Sequence, residues 1–164
     1  MINFVEIRNH IVSGLNQHLN KLVILLNPDA PKPPKPYLTY KFTSPLIPGG
    51  IMTNEDIQTF VNNVKYTNYR QDTITLSIQC YSDNEDESIV LTQQAHDWFY
   101  YNSGDYLREK SIVIAELMNV TNREFQIVDH WERRHGFDVI LRVVNKHEKV
   151  VTTIETVSFD ENGS

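Results

Sequence analysis

The segment His130-Trp131-Glu132-Arg133-Arg134-His135 carries residue types that bind metal ions or transfer protons. Two imidazoles and a carboxylate this close together could hold zinc or act as general acid and base. Zinc peptidases place their histidines four apart on one helical face, whereas His130 and His135 are five apart and precede an extended Gly136-Phe137-Asp138-Val139 run. On a strand, positions 130 and 135 face opposite sides. We therefore expect a polar strand start here; a small metal-dependent enzyme using His130, Glu132 and Asp138 is the competing hypothesis.

The other residues with potential chemistry lack partners in the sequence. His10 and His18 lie on one predicted helix without an acidic third ligand, and His96-Asp97 are neighbours whose side chains diverge on a helix. The chain contains no Gly-x-Ser-x-Gly motif, phosphate-binding glycine-rich loop or dinucleotide fingerprint. The single Cys80 cannot form an internal disulfide, and its place on an apolar strand face predicts a buried thiol. The sequence thus predicts no catalytic residue, cofactor or metal, and the protein is not expected to be an enzyme.

Size and charge restrict the class of protein further. The chain has 164 residues, a mass of 19.1 kDa and a net charge of −6, so a main role in gripping nucleic-acid phosphates is disfavoured. A 40% hydrophobic share is enough for a folded core. No apolar run approaches the roughly 20 residues of a membrane span, and no signal peptide is evident. We expect one soluble cytoplasmic domain over residues 1–159, followed by a frayed tail over 160–164.

The hydrophobic pattern predicts an α+β fold, with a mostly antiparallel sheet and two main helices packed on it. An apolar stripe from about Asn3 to Asn20 predicts the first helix, and the acidic run Asp83–Glu87 opens a second helix ending near Tyr101. Alternating and apolar runs predict five strands: Tyr37–Thr43, Asp72–Tyr81, Ser111–Met118, Phe137–Val144 and Lys149–Phe159. The third is expected to be buried on both faces, and residues 145–148 are expected to form a hairpin turn between the last two.

Two irregular segments are candidate contact regions. Five of the seven prolines lie between Asn27 and Pro36, which favours a semi-rigid connector, with a PxxP ligand for an SH3-like partner as the alternative. Residues 44–58 read as a long loop that exposes Leu46, Ile47 and Ile51, and loops of this length commonly contact partners.

Charged residues suggest association between copies. Arg133, Arg134 and Arg142 are expected to cluster near one end of a β-ribbon, with the acidic run 83–87 elsewhere. Oppositely charged patches suit head-to-tail association, which closes rings when the rotation permits; a solvated surface explains the same residues without a partner. The candidate interface therefore comprises these three arginines with Leu46, Ile47 and Ile51.

The order of these segments, from about Phe4 to Val144, resembles the neck/tail terminator family of tailed bacteriophages and prophages. The most specific part is Glu132-Arg133-Arg134-x-Gly136-Phe137-Asp138, preceded by Trp131 where the family more usually has tyrosine. Less specific similarities are the strand Tyr37-Leu38-Thr39-Tyr40-Lys41, the helix end Asp97-Trp98-Phe99 and the strand Ile112-Val113-Ile114-Ala115-Glu116.

The resemblance implies a tail-terminator-like fold and a structural virion protein without an active site. Such a protein would cap the tail tube at the neck, stop tail polymerisation and join the tail to the head. The implied partners are further copies in a hexameric ring, the tail tube protein and head-side connector proteins, with DNA passing through without specific binding. A head–tail connector or another tail-completion subunit is the alternative within this class.

Overall fold

A computed structural model describes residues 2–50 and 54–153, with the backbone alone for Asn54. Its helices are α1 (Phe4–Leu19), α2 (Glu85–Asp97) and α3 (Gly104–Glu109), with a π-helical turn (Trp98–Asn102) between α2 and α3. Its strands are β1 (Val23–Leu25), β2 (Tyr37–Ile47), β3 (Asn54–Thr59), β4 (Asn63–Ser82), β5 (Ile112–Leu117), β6 (Thr121–Asn122), β7 (Phe125–Ile127) and β8 (His130–Thr152). The predicted α+β class is confirmed. Within the described part, no helix is long and apolar enough to cross a membrane.

The strands form one mixed sheet in the order β1-β2-β4-β8-β5. The short β1 runs parallel to β2, whereas the other pairings are antiparallel. Strands β2 and β3 pair with successive parts of β4. The β4–β8 ladder runs without a break in register from Asn63 opposite Thr152 to Ser82 opposite Arg133. We call this pair the β4–β8 ribbon.

The core lies between one face of the sheet and the helices. Alternate residues of β4 and β8 point to this side and are fully buried, among them Leu76, Ile78, Val139 and Leu141. Leu15 of α1 is buried in the same apolar cluster. Cys80 also lies there, as predicted, and its burial raises the pKa of the thiol to about 12.

Local capping fixes the ends of the predicted first helix. The side chain of Asn3 accepts a hydrogen bond from the backbone amide of Glu6 at 3.2 Å and donates one to its carboxylate at 2.9 Å. At the other end, Asn20 adopts a left-handed conformation (φ 50°) that terminates the helix. Asn84 caps α2 in the same way, by accepting from the Glu87 amide.

Three predicted elements differ from the structure. Residues 145–148 form no hairpin turn, because they pair with residues 67–70 in the middle of the β4–β8 ribbon. Strand β5 is not buried on both faces: it lies at the sheet edge, and Val113 is exposed. The supposed loop 44–58 contains the end of β2 and all of β3 except its last residue, Thr59. Pro45 is tolerated in β2 because β1 pairs only with residues 38–40 of that strand. At position 45 the outer edge of β2 has no partner strand among the described residues, so the missing N–H of proline breaks no pairing there.

Candidate docking surfaces

The sheet continues as a three-stranded arm, which consists of β3, residues 63–71 of β4 and residues 144–152 of β8. At about 3.3 Å per residue, the arm is about 30 Å long. Residues 55–62 and 146–152 are all exposed, and the hairpin between β3 and β4 is closed by a 2.8 Å hydrogen bond from the Phe60 amide to the Asn63 carbonyl. The arm is therefore a sheet without a core of its own.

One face of the arm carries an exposed apolar cluster, next to polar residues such as Lys149, which lies opposite Tyr66. Ile57 lies opposite Tyr66, and Val64 lies opposite Val151. Because side chains alternate along a strand, these residues share the face that carries the core residues further along β4 and β8. Here the face remains open: the exposed fraction of Ile57 is 55% and that of Val151 is 40%. We call these four residues the apolar arm face.

The opposite face of the arm is mainly polar and held by ion pairs, and Val150 is also exposed there. The Glu148 carboxylate lies 2.6 Å from Lys146 Nζ and 2.9 Å from Lys65 Nζ. Hydrogen bonds from Lys146 and then Lys65 lower the pKa of Glu148 to about 2. The two faces of the arm thus differ: one carries the apolar cluster and the other carries the ion pairs.

A buried carboxylate joins the arm to the rest of the sheet. Asp72 is fully buried and accepts hydrogen bonds from Arg70 Nε at 2.6 Å and Nη2 at 3.0 Å. The Gly49 amide at 2.9 Å and Asn145 Nδ2 at 2.8 Å also donate to it. The Arg70 hydrogen bond is the main reason that the pKa of Asp72 falls to about 2. Asp72 thereby ties β4, β8 and the chain after β2 together at the base of the arm.

The arginines of the candidate interface do not form one cluster. Arg133 and Arg134 lie at the far end of the β4–β8 ribbon, where Arg133 faces Ser82, next to the acidic run 83–87. Arg142 lies eight positions further along β8 than Arg134, a distance of about 26 Å. The expected grouping is therefore wrong, because a continuous strand separates these residues in proportion to their spacing.

Arg133 and Arg134 make contacts within the chain. Arg133 Nη1 lies 3.0 Å from Glu124 Oε1. The Arg134 guanidinium lies 5.7 Å from the centre of the Phe125 ring, and its Nη1 lies 3.9 Å from Glu132 Oε1. Both cations are partly buried, so they fix β7 and the preceding turn to β8.

Arg142, Leu46 and Ile47 lie at the base of the arm. Ile47 pairs with Thr73, and Thr73 pairs with Arg142, so Ile47, Thr73 and Arg142 lie in one row across the sheet. Leu46 and Ile47 are exposed, as predicted. Ile51 lies outside the described residues. The structure thus brings together two of the predicted apolar residues and one arginine.

The candidate metal-site residues are dispersed. His130 is exposed, whereas His135 is buried with its Nδ1 3.1 Å from Ser88 Oγ. Glu132 is buried and lies 2.8 Å from Lys32 Nζ. Across residues 2–50 and 54–153, no three His, Cys, Asp or Glu side chains are grouped to hold an ion.

The proline-rich segment 27–36 crosses the sheet as a strap. Lys32 Nζ donates a hydrogen bond to Glu132, and Lys35 Nζ lies 3.0 Å from Asp83 Oδ1. The strap is thereby attached to β8 and to the residues just before α2. It encloses a cleft of about 300 Å³ together with Tyr37 and Phe125. The strap lies at the opposite end of the β4–β8 ribbon from the arm.

Gly136 is required by a close approach between strands. A Cβ at this position would lie 2.4 Å from the Ile78 carbonyl oxygen and 3.1 Å from Cδ of Arg123. We expect Gly136→Ala to destabilise the fold by about 1–3 kcal/mol, because the Ile78 carbonyl belongs to the backbone of a central strand that cannot move away freely. Urea unfolding measures this loss. Gly104→Ala is the control, since nothing lies within 4 Å of its Cβ; an equal loss in both variants would contradict the prediction.

The arm as a three-stranded unit was not predicted, although an extended chain was expected over Phe60–Tyr66. Its signal was the spacing of two between Ile57 and Thr59, and between Val64 and Tyr66, on either side of the turn residues Asn62-Asn63. Because the arm has no helical cover, its strands are less apolar than core strands, and the pattern resembles a loop.

Comparison with known proteins gives a family for the chain. A search of curated proteins finds no match. A family model described as phage neck terminator protein matches residues 9–164, which include the strap, the arm and the part of β8 with Arg133 and Arg134. The chain therefore belongs to the phage neck terminator protein family, a structural and non-enzymatic kind of virion tail or neck component.

Proposed function

We propose that this protein caps the tail tube at the neck, ends tube polymerisation and provides the surface to which the head is joined. It acts as a ring of copies, six in the form that the family resemblance implies, through which DNA passes. The observation that carries this proposal is the arm, whose apolar face has no cover within the described chain.

The exposed apolar arm face favours binding of a partner for physical reasons. A sheet with one apolar face is stable in water only when that face packs against another element, and exposed apolar patches mark sites of association. The apolar arm face and the polar face with Glu148 differ, so a partner can distinguish them. A contact between unlike surfaces, repeated around an axis, closes a ring.

The two ends of the β4–β8 ribbon suit two different partners. The strap, with Lys32 and Lys35 bound to acidic residues, lies at one end, and the arm lies at the other. At about 3.3 Å per residue the two ends are about 60 Å apart. A cap needs one surface that fits the tube end and another that does not, and this separation supplies both.

The charge distribution suits a ring that DNA crosses. The chain carries a net charge of −6. Arg123 and Arg133 pair with carboxylates at 3.1 and 3.0 Å, which reduces the positive charge available to phosphates. Weak attraction for DNA favours passage over retention.

Tail assembly in the absence of this protein tests the function. We expect tubes that vary in length and carry no heads, seen by electron microscopy, and restoration of both properties by the added wild-type protein. Ile57→Ser combined with Val151→Ser should fold, by circular dichroism, but fail to restore them, because it removes the exposed apolar side chains of the apolar arm face. Gln58→Ala is the matched control on the polar face. Tubes of uniform length with heads attached in the absence of the protein would refute the proposal.

A further inference from the structure

We infer that the arm of one copy docks on the free edge of β5 in a second copy, where the apolar arm face covers a cleft beside that strand. The inference deepens the proposed function, on which it rests for the existence of an assembly of copies. Its partner is a second copy of this chain, and its contact is between two unlike surfaces.

Strand β5 offers an open sheet edge. It pairs with residues 139–143 of β8 on one side, and none of the strands described here pairs with its other side. Val113 and Ala115 on this strand are exposed. An edge strand presents unpaired backbone donors and acceptors, which a strand from another chain can satisfy.

An apolar cleft of about 370 Å³ lies next to this edge. Its walls include Phe99, Leu107 and Ile112, which also belong to the core. Beside it, the π-helical turn presents Tyr100 and Tyr101, which are 65% and 75% exposed and whose ring centres lie 4.4 Å apart. Tyrosines of this kind are enriched at protein interfaces, because they combine a large apolar ring with a polar end.

The arm of the same copy cannot reach this edge. It continues β8 directly beyond the residues that pair with β5, and Asp72 and its partners hold its base. To turn back, it would have to break the β4–β8 ladder. The occupant must therefore come from another molecule.

The arm of a second copy has the required properties. The outer edges of β3 and of residues 144–152 pair with no strand among the described residues. Its apolar face supplies Ile57, Tyr66 and Val151. With strands about 4.8 Å apart and an arm about 30 Å long, each face measures about 400 Å² in projection. Edge pairing and the two tyrosines add to this area and bring it toward the roughly 800 Å² per partner of a specific interface.

Disulfide trapping tests the contact directly. We expect a mixture of Ile57→Cys and Ala115→Cys proteins to form dimers on mild oxidation, and the double variant to form a ladder that ends at a closed oligomer. Gln58→Cys replaces Ile57→Cys as the control on the other arm face. The native Cys80 should form no cross-link, because its thiol is buried. The experiment uses both purified protein and tails assembled with it.

The tyrosine pair provides a second measurement. Tyr100→Ala combined with Tyr101→Ala should weaken self-association at least tenfold in sedimentation, without loss of helix by circular dichroism. Val90→Ala, at an exposed site on α2, is the control and should have no such effect.

The outcomes separate this inference from the proposed function. Cross-links that form equally through position 58, or that are absent from both samples, overturn the docking. If the copies cross-link through positions 57 and 115 but tube length does not depend on the protein, the docking stands and the capping function falls. If tube length does depend on the protein and the cross-links fail, the function stands and the copies associate in another way.

Discussion

Replacing Asp72 by alanine is expected to reduce the free energy of unfolding by about 3–5 kcal/mol, the usual effect of removing one partner of a buried ion pair. The Arg70 guanidinium would lose both of its hydrogen bonds to this carboxylate, and the Gly49 amide and Asn145 would each lose one. Urea unfolding measures the loss. Protease sensitivity within residues 54–70 should also rise, because the base of the arm is no longer fixed.

The stabilisation by Asp72 should depend on pH in a defined direction. The folded-state pKa, about 2, lies below the ordinary value of 3.8, so the contribution is present above about pH 5 and is lost as the pH falls through 4 toward 2. This difference corresponds to about 2 kcal/mol. The stability gap between wild type and Asp72→Ala should therefore narrow over that range.

The control for Asp72 is Asp56→Ala, at an exposed position on the arm. It should change the stability by less than about 0.5 kcal/mol. A similar loss in both variants, or a gap between wild type and Asp72→Ala that stays constant down to pH 2, would show that Asp72 is not the residue that fixes the arm.

Trp98→Ala is expected to destabilise the protein by about 3–5 kcal/mol, because it empties a large site in the core. Trp98 is only 4% exposed and lies on the π-helical turn, with its ring centre 4.8 Å from that of Phe99. It also fills the space beside α1: a Cβ at Gly14 would come within 2.7 Å of its ring. Its loss therefore separates α1 from the π-helical turn.

The second tryptophan provides a matched control. Trp131 is 52% exposed, so Trp131→Ala should cost less than about 1 kcal/mol. Unfolding followed by circular dichroism compares the two variants, and fluorescence of each remaining tryptophan should be blue-shifted only where Trp98 is present. Equal losses would mean that the helices do not depend on Trp98 for their packing.

The elements that were predicted well carry strong local signals. The stripe of α1 and its Asn3–Glu6 cap specify a helix without reference to the rest of the chain. The alternation Ile74, Leu76, Ile78, Cys80 specifies a strand with one buried face. In both cases, the residue types that form the local structure are also those that fill the core.

The elements that were missed depend on distant partners. Residues 145–148 have a polar composition that favours a turn, but their pairing with residues 67–70, supported by the Glu148–Lys65 and Asn145–Asp72 contacts, keeps them extended. The edge position of β5 likewise follows from the order of strands in the sheet, which its own sequence does not contain. Tertiary contacts thus override the local preference at these sites.

The β4–β8 ribbon also fixes the distance between its two ends. Its 20 paired positions run from the strap to the end of the arm in one register. Because side chains alternate with a period of two, shifting the pairing register by one residue would turn every buried side chain of the shifted strand outward. The register of the ladder is therefore fixed. The distance between the strap and the end of the arm is therefore set by the number of residues in the two strands. Inserting two residues in each strand would lengthen it by about 7 Å without exchanging the faces.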